Sequence, residues 1–257
     1  MPAPLVFITG ASSGIGQALA ARFLRAGYRL ALVARRVEPI EQWLKAQAAS
    51  TECVGYAADV RDVHALQAIA QDCLKRQGVP DVAIGNAGVS IGMDSSVFAD
   101  LEVMRTTLET NVLGLAATFQ PFIAAMCQRG SGRLVGVASV AGIRGLPGHG
   151  AYCSSKAGAI AYCESLRGEL HGSGVKVVTL TPGYIDTPLT RGNRYSMPFL
   201  MPAEKFAQQA FAAIESGVSY RVIPWQMGVV AKLMRALPNG LFDRLLAGRP
   251  RKHRQGE

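Results

Sequence analysis

Short runs of apolar residues, many of them β-branched, alternate along the chain with longer segments in which apolar residues recur at helical spacing. Gly, Pro or polar residues bound each short run, as is typical of strands. This alternation predicts a parallel sheet that is covered by helices on both faces. The seven predicted strands are 5–9, 29–34, 53–58, 82–86, 133–138, 175–181 and 220–224. The six predicted helices are 14–26, 38–48, 62–77, 101–128, 152–171 and 203–216.

The order of these elements, with right-handed crossovers, predicts a single-domain, doubly wound α/β fold of the Rossmann type. The chain has 257 residues, of which 49% are hydrophobic and 18% charged, so it can bury one large core. We expect residues 1–224 to form the Rossmann-type domain. Residues 225–257 are expected to add a C-terminal helical extension and a basic tail to that same domain.

The formal net charge is +9, and a large share of it lies at the C-terminus. Arg249, Arg251, Lys252 and Arg254 against Glu257 give the tail a net +3, which leaves +6 for the rest. Positive charge suits an anionic cofactor, an acidic membrane surface or a nucleic acid, and charge alone does not choose among them. The sequence has no zinc-ligand spacing, RNA-binding signature or arginine–aromatic repeat. We therefore expect neither a metal site nor a nucleic-acid partner.

Cysteine usage and the N-terminal sequence bear on the compartment. The five cysteines are scattered, odd in number and mostly set in apolar segments, which favours reduced thiols over a disulfide framework. The N-terminus runs straight into a strand-like segment without a charged leader or a cleavage site. We expect no run of the roughly 18 uncharged residues that a membrane span needs. These features predict a cytoplasmic protein.

A glycine-rich loop, TGASSGIG, links the first predicted strand to the first predicted helix. Glycines at such a loop let the backbone turn tightly and approach a pyrophosphate, while the helix N-terminus offers free amides. The alternative is an ordinary glycine turn, but the strand–loop–helix order favours dinucleotide binding. The candidate cofactor-binding residues here are Gly10, Ser12, Ser13, Gly14, Ile15 and Gly16.

The second predicted strand ends in Arg35 and Arg36 rather than in an acidic residue. An acidic residue there would bind the adenosine ribose hydroxyls of NAD, whereas a guanidinium suits a 2′-phosphate. The sequence therefore predicts NADP(H) as the cofactor, with Arg35 the better placed of the two. The alternative role of Arg35 is that of a solvated residue at the end of a loop.

Polar residues also follow the third and fourth predicted strands, at the sheet edge where doubly wound folds bind ligands. We expect Asp59 to accept a hydrogen bond from the adenine amino group. By composition alone, these tripeptides are equally typical of Asx turns. The candidate cofactor-binding residues at these two strand ends are Asp59, Val60, Asn86, Ala87 and Gly88.

Tyr152 and Lys156 stand four residues apart in a predicted helix and therefore share one face. An ammonium group and an oxidised nicotinamide next to the phenol are expected to lower its pKa, which makes Tyr152 a usable acid or base. Ser139 ends the fifth strand, where its hydroxyl would hydrogen-bond a substrate oxygen. Asn111 is an isolated polar residue in the long helix. Taken alone, the tyrosine–lysine pair is an ordinary amphipathic pair.

Together, TGASSGIG, DV, NAG, Asn111, Ser139, YCSSK and PGYIDT resemble the short-chain dehydrogenase/reductase family, in order, over residues 5–224. The resemblance implies a catalytic tetrad of Asn111, Ser139, Tyr152 and Lys156, in which Asn111 holds a water linked to Lys156. It also implies that Lys156 contacts the nicotinamide ribose and Thr187 the carboxamide. The candidate cofactor-binding residues of the later motifs are Tyr152, Lys156, Pro182, Gly183, Ile185 and Thr187. One departure is Gly85, where the family often has Asn.

The resemblance implies an oxidoreductase that moves hydride between a nicotinamide and a carbonyl or secondary alcohol, and Arg35 makes NADP(H) the expected dinucleotide. The alternative is a catalytically silent dinucleotide sensor or scaffold, against which the intact Ser139, Tyr152 and Lys156 argue. Loops 140–150 and 184–202 carry few charges and favour an apolar substrate, although the same apolar residues are equally typical of a packed lid. These residues are Ile143, Leu146, Tyr184, Leu189, Tyr195, Met197, Phe199 and Met201. His149 is left out of the chemistry.

Assembly and the C-terminal extension complete the sequence-based picture. The resemblance implies a homodimer or homotetramer that forms through helices 101–128 and 152–171. The apolar segment after Pro224 and its basic tail suit either an anionic membrane surface or a dimer or pocket cap with a frayed, solubilising tail. We favour the cap, because the apolar face is short.

Overall fold

The computed structural model describes residues 2–48, 52–193, 195–248, 251, 252 and 254. It contains a seven-stranded, all-parallel sheet in the order β3-β2-β1-β4-β5-β6-β9 and a separate two-stranded ribbon, β7-β8. The strands are β1 (Leu5–Thr9), β2 (Arg29–Ala34), β3 (Val54–Ala57), β4 (Val82–Gly85), β5 (Gly132–Val137), β6 (Val175–Pro182), β7 (Ile185–Asp186), β8 (Met201–Pro202) and β9 (Tyr220–Ile223). The predicted doubly wound sheet is confirmed.

Helices cover both faces of the sheet. They are α1 (Gly14–Arg25), α2 (Glu38–Ala46), α3 (Val63–Arg76), α4 (Asp100–Leu108), α5 (Gly114–Arg129), α6 (Gly150–Glu169), α7 (Ala203–Ser216), α8 (Trp225–Ala236) and α9 (Asn239–Leu246). The six predicted helices are present with ends that differ by at most two residues, and α8 and α9 form the predicted C-terminal helical extension. A π-helical turn, Glu109–Leu113, joins α4 to α5.

The alternation of side chains along each strand divides the core into two layers. In β1, Val6 and Ile8 face the layer formed with α1, α2 and α7, whereas Leu5 and Phe7 face the layer formed with α3, α5 and α6. All four side chains are fully buried. Because both faces are covered, the strands read as unbroken apolar runs, which is why the sequence predicted them well.

The stretch from Asp100 to Arg129 is the longest and most apolar helical segment. Residues 110–128 contain no charged side chain, so our expectation that no run reaches the length of a membrane span was wrong. By length and composition the segment qualifies as a candidate span. Its side chains Phe119, Phe122 and Met126, however, are fully buried in the layer beneath the sheet. The apolar character of the helix is thus accounted for by packing.

The C-terminal extension packs against the carboxyl edge of the sheet. Met227 of α8 contacts Gly183, where an added Cβ would lie 2.6 Å from the Met227 Cγ. Arg144, in the loop after β5, donates hydrogen bonds to carbonyls at the end of α8, among them Leu237 at 2.8 Å, and its guanidinium lies 3.8 Å from the ring centre of Phe242. Three side chains of α8, Trp225, Val229 and Leu233, form an exposed apolar stripe on the opposite face.

The tail is not frayed in the described residues, contrary to our expectation. Arg254 forms a two-pronged ion pair with Asp100, at 2.8 and 3.1 Å, and Lys252 donates to the carbonyl of Leu189 at 3.3 Å. Charge complementarity with a buried carboxylate therefore holds the tail against the body of the protein. Arg249 lies outside the described residues.

Candidate active site

The carboxyl ends of β1, β4, β5 and β6 lie side by side at one edge of the sheet. The chain leaves β1 towards β2 on one side and enters β4 on the other, so the strand order reverses between β1 and β4. Loops on the two sides of such a point diverge and leave a crevice, which is where doubly wound sheets bind ligands. The predicted motifs lie at this edge, on strand ends, on the loops that follow them and on neighbouring helical segments.

The glycine loop has the geometry that a pyrophosphate cradle requires. Gly10 and Gly14 adopt positive φ angles of +67° and +55°, a region that disfavours other residues. A Cβ at Gly16 would lie 2.1 Å from the carbonyl oxygen of Gly10, so no side chain fits there. Ser13 precedes α1 without a side-chain cap, and the first turn of α1 contains no acidic residue. The first amides of the helix are thus available to an anion.

Asn86 supports this loop from the neighbouring strand. Its side-chain amide donates to the carbonyls of Thr9 and Gly10, each at 3.1 Å, and its backbone amide donates to the Thr9 hydroxyl at 3.3 Å. The side chain is therefore engaged in shaping the turn rather than facing a ligand, while Ala87 packs against Gly10. Across the loop, a Cβ at Gly14 would lie 3.2 Å from the Cβ of Thr187. The structure thus brings the first and last cofactor motifs together.

The adenosine end of the crevice is a charged corner at the ends of β2 and β3. Arg35 and Arg36 are both exposed. Asp59, expected to face an adenine, instead pairs with Arg61 at 2.8 Å, and that hydrogen bond holds the pKa of Asp59 below its usual value. The charge of Arg35 lowers the same pKa further. The sequence reasoning missed Arg61, whose only signal was its place two residues after Asp59.

Asn111 lies in the π-helical turn, whose extra residue per turn rotates this side chain inwards. Its Oδ1 accepts from the amide of Val89 at 2.8 Å, and its Nδ2 donates to the Val89 carbonyl and to the Ser155 hydroxyl, both at 2.9 Å. Gly88 lies between the two candidate groups, because a Cβ there would be 3.2 Å from Asn111 Oδ1 and 3.4 Å from Lys156 Nζ. Ser155, not singled out from the sequence, is a buried partner of this amide.

Ser139 and Tyr152 form the centre of the candidate site. Ser139 is buried and caps a short 3-10 turn, its hydroxyl accepting from the amide of Ala141 at 3.2 Å. Burial raises the pKa of Tyr152, and a hydrogen bond with Ser139 opposes that rise. The direction of the shift is therefore opposite to the expected lowering, because burial outweighs the hydrogen bond. Ser139 relieves part of the cost of a buried phenolate.

Lys156 is buried beside Tyr152, with its Nζ 5.9 Å from the centre of the phenol ring. The ammonium group donates to the carbonyl of Val137 at 2.8 Å. Burial lowers the pKa of Lys156 to about 8, because the charged form loses its hydration. The structure thus brings Asn111, Ser139, Tyr152 and Lys156 together at one edge, as predicted, with each held by a named partner.

We expect the Lys156→Met substitution to change how stability depends on pH. Between a folded-state pKa of about 8 and the ordinary value of 10.5, the unfolded chain binds more protons than the folded one. The free energy of unfolding of the wild type should therefore rise, relative to the variant, by up to about 3 kcal/mol as pH increases through that window. Urea denaturation of both proteins without added cofactor, from pH 7 to 10.5, measures the difference. A constant difference would contradict the assigned burial.

The predicted apolar cleft is divided in the structure. Met201 belongs to β8 and is buried in the core, and with Phe199 it lines a cavity of about 390 Å³ beside Pro224 and Trp225. Tyr195 remains on the side of Tyr152. Burial raises the pKa of Tyr195 to about 12, and the neighbouring phenols of Tyr184 and Tyr152 contribute to that rise. The correction follows from the β7-β8 ribbon, which pairs Met201 with Ile185 and buries both side chains in the core.

His149 has a clearer role than its sequence context indicated. It is buried, and its Nε2 lies 3.3 Å from the Tyr195 hydroxyl while its Nδ1 lies 3.2 Å from the carbonyl of Pro147. Burial lowers the pKa of His149, which favours the neutral ring that can donate to one partner and accept from the other. His149 therefore positions the Tyr195 hydroxyl.

Comparison with known proteins bears on this arrangement. The family model for short chain dehydrogenase matches residues 4–197. The chain belongs to the short-chain dehydrogenase/reductase family. An uncharacterized oxidoreductase of Myxococcus xanthus is 37% identical to this short-chain dehydrogenase/reductase over 237 residues, covering 92% of this chain and 93% of the relative. The chain is therefore an oxidoreductase of this family, as the motifs predicted.

Solved structures of the family share the fold. An alcohol dehydrogenase from the archaeon Thermococcus sibiricus, in complex with 5-hydroxy-NADP, is 26% identical with a TM-score of 0.75, covering 85% of this chain and 95% of that one. A short-chain dehydrogenase/reductase from Burkholderia phymatum, in complex with NAD, has a TM-score of 0.82 at 23% identity and 96% coverage of both chains. The family thus includes proteins bound to either dinucleotide.

The departure at Gly85 has a packing explanation. A Cβ at this position would lie 2.2 Å from the Leu115 Cδ1 and 3.5 Å from the Phe119 ring. In this short-chain dehydrogenase/reductase, Leu115 of α5 occupies the space that a larger residue at position 85 would take. The change therefore belongs to the core and leaves the adjoining Asn86 in contact with the glycine loop.

Proposed function

We propose that this protein is an NADP(H)-dependent oxidoreductase that interconverts a carbonyl compound and the corresponding secondary alcohol. The observation that carries the proposal is the pairing of the Tyr152 phenol with Ser139, next to the buried Lys156 and at the same sheet edge as the glycine cradle. Such an edge places a reacting carbonyl between a proton donor and a bound dinucleotide.

The residues present fit a dinucleotide. The cradle of Gly10, Gly14 and Gly16 excludes side chains, and the start of α1 offers free amides to a pyrophosphate. Ile15, Ser12 and Ser13 complete the loop, and Val60 lies buried at the adenosine side, where it packs against Gly114. Pro182, Gly183, Ile185 and Thr187 stand opposite, where Thr187 is close to Gly14. When bound, NADP(H) supplies or accepts the hydride.

Each candidate catalytic side chain has one task in reduction. Tyr152 donates its phenolic proton to the carbonyl oxygen, and Ser139 donates a hydrogen bond that orients that oxygen. Lys156 places a positive charge near the resulting phenolate and lowers the cost of its formation. Asn111, fixed by Val89 and Ser155, holds the end of the π-helical turn against Gly88 and Lys156. Oxidation of the alcohol reverses these steps.

A spectrophotometric assay tests the reaction class. We would follow the consumption of NADPH with a panel of aliphatic ketones, aldehydes and cyclic ketones, and the formation of NADPH with their alcohols. Turnover of any carbonyl compound with transfer of hydride supports the proposal. Dinucleotide binding without turnover across the whole panel would instead support the silent sensor.

The preference for NADP(H) is proposed from the charged corner at β2 and β3. We expect Arg35→Ala to lower kcat/KM for NADPH by about 30-fold, the loss of a charge-assisted hydrogen bond, and to leave that for NADH nearly unchanged. Arg36→Ala is the matched variant, since Arg36 is equally exposed and is the less favourably placed of the pair. Steady-state kinetics with both dinucleotides measure the effect. A wild-type preference for NADH, or an Arg35→Ala variant that keeps the NADPH preference, would contradict the assignment.

Assembly and location stay predictions. Along the segment from Asp100 to Arg129, Leu101 and Leu113 are about half exposed, and Phe98 just before it is 86% exposed. These apolar side chains support the proposed homodimer or homotetramer, in which they would be covered. The exposed stripe of α8 leaves peripheral membrane contact as the less favoured alternative to an internal cap. A cytoplasmic location remains the expectation from the sequence.

A further inference from the structure

The described residues of the C-terminal tail cross the substrate side of the crevice. Arg254 bridges to the backbone of Gly92, Arg251 packs against Gly148, and Lys252 donates to the carbonyl of Leu189. These three partners lie on the loops that follow β4, β5 and β6. Because those strands end at the edge that carries Tyr152, the tail forms a wall of the same crevice.

An ion pair fixes this wall in place. Asp100 is buried at the start of α4, where it also accepts from the amide of Asp94 at 2.6 Å. Arg254 donates a hydrogen bond to each carboxylate oxygen of Asp100, and this two-pronged contact fixes the position of the guanidinium. Next to the pair, Arg251 lines a cavity of about 280 Å³ with Met93, Leu146 and Gly150, the first residue of α6. The wall therefore borders the first residue of α6, which precedes Tyr152 by two positions in the chain.

The charges of the wall are not equally compensated. Arg254 is paired with Asp100. Hydrogen bonds from Ser96 lower the pKa of Asp94, and the charges of Arg254 and Arg251 lower it further, so Arg251 also has a carboxylate nearby. Lys252 is half-buried, and among the described residues no carboxylate lies within ion-pair distance of its ammonium. Burial lowers its pKa, and its charge is felt by His149, three residues before Tyr152. A half-buried ammonium whose hydrogen-bond partner in the described part of the chain is a carbonyl favours the approach of an anion.

We propose that Lys252 is a specificity-determining residue that binds an acidic group, a carboxylate or phosphate, on an otherwise apolar carbonyl substrate. The inference rests on the proposed function and adds the substrate class. Between Lys252 and the candidate catalytic groups, His149 feels the charge of Lys252 and lies 3.3 Å from the Tyr195 hydroxyl, and the Tyr195 ring centre is 6.2 Å from that of Tyr184. Such a substrate has an apolar chain with a carbonyl near one end and an anion at the other.

The test compares keto acids of increasing chain length with their methyl esters, each assayed with NADPH. At the best length, the wild type should show a kcat/KM for the acid that is about tenfold or more above that for the ester. Lys252→Met should bring this ratio close to one, and Lys252→Arg should keep most of it. Lys232→Met is the matched control, because Lys232 is an exposed lysine of α8, and it should keep the ratio.

A second variant tests whether the position of the tail, as well as the charge of Lys252, is needed. Arg254→Ala removes the ion pair with Asp100 and should lower the acid-to-ester ratio as Lys252→Met does, because the tail is released. A wild type that turns over acid and ester equally well, or a Lys252→Met variant that keeps the ratio, would overturn the inference while leaving the proposed function standing. Turnover of the ketone and aldehyde panel without turnover of either series would overturn the inference alone. No turnover of the panel or of either series would overturn the proposed function itself.

Discussion

Tyr152→Phe is expected to lower kcat/KM for any accepted carbonyl substrate by about a thousandfold, the typical contribution of a positioned general acid. The substitution removes the proton that the substrate oxygen must receive and leaves the ring and its packing in place. Because the proton is needed only in the transition state, kcat should fall while the affinity for NADPH stays within about twofold. Steady-state kinetics, with a fluorescence titration of NADPH, measure both quantities.

The same helix supplies the control for this experiment. Tyr162 of α6 is half-buried, and its ring stacks on Phe119 at a centroid distance of 6.5 Å, away from Ser139. Tyr162→Phe removes one phenolic hydroxyl from the same helix and should keep near wild-type turnover. If Tyr152→Phe bound NADPH and turned over like the wild type, the assignment of Tyr152 as the acid would be wrong.

Gly16→Ala is expected to raise the Kd of NADPH by about a hundredfold, because it displaces the cradle on which the pyrophosphate rests. The added methyl group would lie 2.1 Å from the Gly10 carbonyl oxygen and 2.6 Å from the Asn86 Nδ2. Both atoms belong to the hydrogen-bonded unit that shapes the turn, so relieving the overlap moves the loop. The same overlap should cost about 1–3 kcal/mol of stability.

Isothermal titration calorimetry with NADPH measures the change in Kd of Gly16→Ala, and thermal unfolding measures the change in stability. Gly168→Ala is the control, because nothing lies within 4 Å of the site that its methyl group would occupy near the end of α6. This control should bind NADPH like the wild type and be equally stable or slightly more so. Wild-type affinity in Gly16→Ala would show that the glycine loop does not hold the dinucleotide.

Local patterns were enough to predict the seven strands of the main sheet and the six helices that cover it. The strands are buried on both faces, so each is a short apolar run that stands out from the helical segments around it. Gly10, Gly14 and Gly16 were identified because strand, loop and helix follow one another within a few residues. Tyr152 and Lys156 were paired because residues four positions apart share one face of a helix.

Interactions between distant residues were beyond the reach of the sequence. Arg254 and Asp100 are 154 residues apart, and nothing in either local segment marks them as partners. The predicted apolar cleft was wrong in part for the same reason, since the pairing of Ile185 with Met201 decides which side of the loop faces the site. Burial, too, depends on packing, and it reverses the expected direction of the Tyr152 pKa.

The sequence by itself determined the doubly wound fold, the dinucleotide loop and the identity of the tyrosine, lysine and serine at the candidate site, because each depends on short-range geometry. Only the tertiary structure decided what surrounds those groups. It placed Lys156 against the Val137 carbonyl, Asn111 in a π-helical turn and Lys252 in the wall of the crevice. These placements arise from long-range packing and charge pairing, which no local pattern in the chain encodes.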